Sequence, residues 1–340
     1  MDNSSVVRAT AGSRTCPAGF RTRVLEHREF LSPIAGKVLV TAEIMSRPRQ
    51  VLPGQFYLVT RRCTQRQFLL RPDAATNNAF TYCLIEAAQR TQIEVLLPCA
   101  MSNHHHTVIY DRFARYPEFV EHFHKMFARS QNALRGRWEN FWSSEQVCVV
   151  RLVGRDDVMD KLVYTATNPV KGGLVDRVDH WPGVNGLRAL LTGRSIAATR
   201  PWYFFRRDGA MPDAAELRLS VPPELGPEAE VLEDLRQRVA TLEASLAVER
   251  QRTGRRVYGR RAVLRQPWWE RPTGHEPRRN LRPRVAARSK WARIEALQRN
   301  RAFLVDYAVA RDAWRCGAPV TFPWGTYWLQ RFAGVAVATG

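Results

Sequence analysis

The sequence has no CxxC pair. Its six cysteines, Cys16, Cys63, Cys83, Cys99, Cys148 and Cys316, are scattered, so zinc-finger spacing is absent. Cys83 and Cys99 stand in apolar runs and are expected to pack as small hydrophobes, which fits a reducing compartment. No stretch is long and apolar enough to span a bilayer, and the first residues hold no apolar signal-peptide core. Both absences argue against a membrane partner and for a cytoplasmic protein. Acidic residues are also scarce: 32 Asp and Glu face 52 Lys and Arg, a formal net charge of +20. That surplus favours a polyanionic partner, nucleic acid before an anionic membrane. What the chain does have is a 45% apolar content over 340 residues, enough for a real core and for a domain carrying an extension.

Hydrophobic periodicity predicts a compact alternation after a lead-in over residues 1–52. Gln55–Cys63 is aromatic and β-branched and is expected to be a strand. Asn77–Arg90 has helical spacing at Phe80, Leu84 and Ala87, with Asn77 as the expected cap. Ile93–Met101 and His104–Tyr110 are expected strands joined at Ser102-Asn103. Pro117 to about Leu134 is an expected helix with Phe119, Phe123 and Phe127 on one face. Gln146–Val153 is a further strand, and Asp156 to about Asn168 a helix ended by Pro169 and Gly172-Gly173. The order β-α-β-β-α-β-α is the ferredoxin-like split pattern with one more helix. The expected class is α+β, an antiparallel sheet with helices on one face.

The rest divides into an irregular connector over 181–225, including the run RPWYFFRRDG at 200–209, and a helical, basic C-terminal region over 226–340. Pro227–Arg252 is an expected helix whose Leu232, Leu235, Val239, Leu242 and Leu246 form an a/d seam. Packing against the body and homodimerisation are both open to that seam. Arginine is dense from Arg250 to Arg301 and interleaves with Trp268, Trp269 and Trp291, a combination suited to phosphates and stacked bases. A solvated basic arm has the same composition. The last stretch, from Pro319, is expected to be a small β-rich piece.

The residues with chemistry are concentrated in two places. Asn103-His104-His105-His106 lies in an expected strand, where side chains at i and i+2 share a face. His104 and His106 can therefore hold one metal while His105 faces the packed side. A triple His can also be an incidental polar run; its place between two apolar segments favours metal binding. His122 and His124 have the same spacing on a helix, where residues two apart are about 200° apart and cannot chelate one ion. Tyr164 and Asn168 are i, i+4 on the last helix of the alternation and share its face. An amide oxygen can join two imidazoles around Mg²⁺ or Mn²⁺, and tyrosine is a covalent nucleophile.

These two segments resemble a known family. "MSNHHHTVIYD" is similar to the MPNHxH strand of the single-tyrosine HUH transposases, and "YTATNPVKGGLV" to the YIxxNPVRAGLV helix of their REP-associated branch. "VTRRCTQRQFLL" and "GRWENFW" resemble other segments of that branch, so the likeness covers about residues 53–180. It implies a ferredoxin-like HUH catalytic domain that nicks single-stranded DNA beside hairpins, leaving a 5′-phosphotyrosine and a free 3′-OH. Tyr164 would be the nucleophile, and His104, His106 and Asn168 the metal ligands. Candidate DNA contacts are Arg61, Arg62, Lys171, Arg255, Arg256, Arg260, Arg261, Trp268 and Trp269. Ser102 stands in place of the usual Pro, His105 in the usual apolar slot, and Gly172 where Ala is common. The competing functions are a hairpin-DNA-binding protein without transposition activity and a zinc hydrolase. The hydrolase ranks last because no HExxH is present.

Overall fold

The computed structural model describes residues 48–274 and 283–340. Its central sheet takes the strand order β2-β3-β1-β4-β7, built from β1 (Gln55–Arg62), β2 (Glu94–Ala100), β3 (His104–Asp111), β4 (Cys148–Leu152) and β7 (Val285–Ala286). The first four strands are antiparallel and follow the ferredoxin-like order; β7 joins β4 in parallel. The sheet is thus mostly, not wholly, antiparallel. The alternation that the sequence predicts is present with small shifts. Helix α1 (Ala74–Thr91) starts one turn earlier than expected, because the carboxylate of Asp73, not Asn77, caps it by accepting from the Thr76 amide at 2.8 Å. Helix α2 (Tyr116–Arg135) ends on Gly136 at φ +60°, a left-handed conformation that favours glycine. Helix α3 (Arg155–Lys171) runs through Pro169 rather than stopping before it, and closes with the Gly172 amide donating to the Asn168 carbonyl.

The helices do not share one face. Strand alternation sends His105 toward Phe80 of α1 and Phe123 of α2, and His106 toward Tyr164 of α3. The core between the sheet and α1/α2 is aromatic: Phe80, Phe119, Phe123 and Phe127 are fully buried, and Phe80 meets Phe123 and Phe127 edge to face. Cys83 is buried there as a small hydrophobe, and Cys99, opposite His106, is buried on the α3 side of the sheet.

Residues 181–225 are not irregular. They hold α4 (Leu187–Thr192) and a hairpin of β5 (Ile196–Thr199) and β6 (Ala214–Leu217), whose Ala198 and Ala215 pack on Tyr82 and Ile85 of α1. Nor does the chain divide near 225. One compact unit spans Gln50–Phe303; the described part of a second comprises Pro48, Arg49 and Leu304–Gly340. Helix α5 (Glu228–Thr253) lies along α3 and buries Val231, Leu235 and Val239, so the first half of the expected seam is filled by the body. Beyond it, α6 (Arg260–Arg265) and its flanks bond to the loops that follow α3 and β1. Tyr258 and Gly259 donate to the Gly173 and Leu174 carbonyls, and the Phe68 amide donates to the Glu270 carbonyl. Apolar burial and ion pairs together tie α5 to α3, where Arg238 meets Asp156 and Asp160. Leu235→Ala is expected to cost about 2–5 kcal/mol in denaturant unfolding; a loss below 0.5 kcal/mol would mean that α5 is a detachable arm.

Helix α7 (Lys290–Arg315) leads into the second unit, where Phe322 of β8 (Thr321–Phe322) is buried against Tyr307 and Trp314. The expected β-rich tail is interrupted by α8 (Trp328–Ala333), after which β9 (Ala336–Val337) pairs in parallel with β8. Among the described residues no helix is long and apolar enough to cross a membrane.

Candidate active site

Strands β1 and β3 pair so that Thr60 stands opposite His106, Arg61 opposite His105 and Arg62 opposite His104. On the α3 side of the sheet this register opens a cleft of about 650 Å³, lined in part by Thr60, Arg62, Asn103, His104, His106, Lys161 and Tyr164. The rings of His104 and His106 are 4.9 Å apart between centroids. Tyr164 meets His106 edge to face at 5.0 Å, its hydroxyl 3.5 Å from His106 Nε2. Thus the structure brings together His104, His106 and Tyr164, which lie some sixty residues apart in the sequence.

Each ring is bonded through its Nδ1. The Asn103 amide nitrogen donates to the Arg66 carbonyl at 3.2 Å, which turns Oδ1 toward His104 Nδ1 at 2.7 Å. An amide oxygen only accepts, so His104 carries its proton on Nδ1 and its lone pair on Nε2. His106 Nδ1 lies 2.8 Å from the Thr60 hydroxyl. Burial, and then the neighbouring His104, hold His106 well below the ordinary imidazole range. It is therefore neutral at physiological pH, the form in which imidazole binds metals. Two imidazoles each bonded through Nδ1 are a donor set that fits a divalent ion. Among the described residues no third His, Cys, Asp or Glu joins them. Asn168 is half-buried one turn beyond Tyr164 on α3 and does not line the cleft.

Two lysines flank the tyrosine. The ammonium groups of Lys161 and Lys171 lie 5.6 and 5.5 Å from the Tyr164 ring centroid. Burial, followed by the charge of Lys161, lowers the Lys171 ammonium from its ordinary range. Sequence reasoning singled out Lys171 but missed Lys161, although 161, 164, 168 and 171 follow the i+3, i+4, i+3 stripe of one helix face. Thr60 had no such signal, since only the strand register brings it to His106.

The expected DNA contacts divide. Arg62 is exposed and lines the cleft. Arg61 does not: alternation turns it to the packed side, where its guanidinium lies over Trp142 at 5.5 Å and meets His124 Nδ1 at 3.2 Å. Trp268 is also occupied, with the guanidinium groups of Arg135 and Arg137 over its ring at 5.3 and 5.8 Å. Trp269 is exposed, as are Arg255, Arg256, Arg260 and Arg261 around α6.

His105, the polar ring in an apolar slot, is answered by His124. Their Nε2 atoms are 2.8 Å apart, both rings are buried, and Trp142 packs on each. Burial, then the charges of His104 and Arg61, pushes His105 down to about 3, and burial also holds His124 low. The unfolded chain takes up these protons near pH 6.5, while the folded core refuses the His105 proton until about pH 3. Stability is therefore full above pH 6.5 and is lost as pH falls. At pH 5 the His105 contribution is about 2 kcal/mol. Chemical denaturation at pH 7.5 and 5 is expected to show this loss, reduced in a His105→Leu/His124→Leu variant; equal losses would place the acid sensitivity elsewhere.

No family model matches the sequence, and no curated protein matches it. Among solved structures, the chain is similar to a REP-associated tyrosine transposase bound to a REP hairpin. The identity is 16%, the TM-score 0.37, and the overlap covers 49% of this chain and 92% of that one. It is also similar to a protein described as a transposase from Deinococcus radiodurans R1, at 17% identity and a TM-score of 0.25, over 31% of this chain and 85% of that one. Likeness at this level decides nothing, and the functional conclusion rests on the residues of the cleft.

Proposed function

We propose that the chain is a single-tyrosine transposase of the HUH type, a metal-dependent enzyme that nicks and rejoins single-stranded DNA beside hairpins in the cytoplasm. The observation that supports it most is the Tyr164 hydroxyl 3.5 Å from His106 Nε2, in a cleft that also holds His104 and two lysines. The order of the two motifs in the sequence supports the same reading.

Tyr164 attacks the scissile phosphorus. A bond forms from its phenolic oxygen to phosphorus, the bond to the 3′-oxygen breaks, and that oxygen leaves as a 3′-OH. The 5′ side stays on Tyr164 as a phosphodiester, so a later 3′-OH can reverse the step without ATP. Lys161 and Lys171 place positive charge beside the attacking oxygen and the phosphate. Arg62, at the other wall, is suited to hold the strand through its phosphates. Asn103 and Thr60 keep the two imidazoles oriented. Mg²⁺ or Mn²⁺ would be held by His104 and His106, with Asn168 as third ligand once its side chain turns into the cleft that it does not line here, and would neutralise charge on the scissile phosphate.

The test is a hairpin-bearing single strand labelled at its 3′ end, incubated with the protein and Mn²⁺. A labelled protein band on a denaturing gel is the expected product. Tight hairpin binding with no adduct on any flanking sequence would replace this reading with that of a binding protein without transposition activity.

A further inference from the structure

The loop between β5 and β6 has no part in the chemistry above, yet it is held with unusual care. Arg200 sits inside it with a side chain only 11% exposed. Its guanidinium donates to the carbonyls of Arg207, Gly209 and Met211 and pairs with the Asp213 carboxylate. The loop is also pinned to α1, where Phe205 packs on the Tyr82 ring at 5.4 Å and the Tyr82 hydroxyl donates to the Pro212 carbonyl at 2.7 Å. A buried arginine bonded to three carbonyls fixes a backbone that would otherwise sample many shapes.

What this rigid loop presents outward is Trp202, 82% exposed, together with the exposed Arg206 and Arg207. Trp202 touches Tyr203 only edge to face, at 5.9 Å between centroids. Beside the loop, the exposed Arg129 of α2 lies over the Phe204 ring at 5.9 Å. Of the two carboxylates in the loop, Asp213 is neutralised by Arg200, which leaves Asp208 against three arginines. An indole held out on a preorganised loop that also carries exposed arginines suits a polymer that has both flat apolar faces and regularly spaced negative charge.

We infer that the β5–β6 loop is a second nucleic-acid site, a platform on which a base of single-stranded DNA stacks on Trp202 while Arg129, Arg206 and Arg207 hold its phosphates. The inference rests on the nucleic-acid reading above for the class of ligand, but the site is separate from the cleft. The hairpin packs on α1, and α1 covers the sheet face opposite the one that carries His104, His106 and Tyr164. The platform therefore engages flanking strand outside the reacting segment.

The experiment uses the full chain carrying Tyr164→Phe, so that no covalent product forms, with fluorescein-labelled dT30 as the probe and heparin as a polyanion without bases. Trp202→Ala is expected to weaken dT30 binding about tenfold, since stacking contributes about 1–3 kcal/mol per base. It should leave heparin binding unchanged, and Trp202→Phe should restore most of the loss. The Arg206→Ala/Arg207→Ala pair should reduce the slope of log K against log salt by about 1.4, at about 0.7 per neutralised phosphate. Unaltered dT30 affinity for Trp202→Ala, or an equal loss for dT30 and heparin, overturns the platform. Either result leaves adduct formation at Tyr164 in the wild-type protein untouched, so the two conclusions fail separately.

Discussion

Replacing Tyr164 by Phe is expected to remove the covalent protein–DNA band entirely and to lower strand cutting by about a thousandfold or more, the scale of losing a nucleophile. The variant deletes one oxygen. That oxygen lies 3.5 Å from His106 Nε2, a long contact, so its loss should cost the fold about 1 kcal/mol or less. The ring remains, and with it the packing on His106 and the contacts with Lys161 and Lys171. Hairpin affinity should stay within about twofold of wild type, because phosphate contacts elsewhere carry most of the binding. Gel analysis of a 3′-labelled hairpin substrate reads adduct and cutting together, and anisotropy reads binding. Persistent cutting by Tyr164→Phe would mean that water or another side chain attacks, and the mechanism would have to be abandoned.

The second large effect concerns the imidazoles. His104→Ala and His106→Ala should each reduce Mg²⁺- or Mn²⁺-dependent cutting by about a hundredfold or more, the scale of losing one electrostatic group at a reacting centre. Hairpin binding should survive in both. The two variants should differ in stability: His106 is buried and bonded to Thr60, whereas His104 is only partly buried. His122→Ala is the control, since His122 lies half-buried on α2, on the other side of the sheet. His124→Ala should lower stability through His105 and Arg61 without moving the metal requirement. A metal requirement that followed His124 instead would transfer the ion to the packed side and refute the assignment.

Much of this arrangement is legible in the sequence because it depends on period. The alternation of β3 puts His104 and His106 on one face whatever packs above them, and the helical spacing of α3 does the same for Lys161, Tyr164, Asn168 and Lys171. What alternation also implies, that Arg61 and Arg62 cannot both face the cleft, becomes decisive only once the register sets Arg61 opposite His105. Contacts between distant segments leave no local trace. His124 reads as a polar residue on an amphipathic helix until His105 is seen across from it at 2.8 Å. The arginine-rich stretch has the composition of a free arm, but its backbone bonds to the body: the Tyr258 and Gly259 amides donate to the Gly173 and Leu174 carbonyls, and the Glu270 carbonyl accepts from the Phe68 amide. The 200–209 run has no periodicity because its shape comes from one arginine bonded to carbonyls.

The parallel pairing of β7 with β4 sets a timetable for biosynthesis. Arg151 and Leu152 of β4 pair with β1 on one side, but on the other their neighbours are Val285 and Ala286, far downstream along the chain. While the ribosome adds the intervening residues, at about 5–20 per second, the ferredoxin-like strands can assemble but β4 remains an open edge. An open edge is a template for pairing with another nascent chain. The molecule is therefore most vulnerable to aggregation during the seconds before its C-terminal third emerges, and a ribosome stalled in that interval would release a sheet without its final strand.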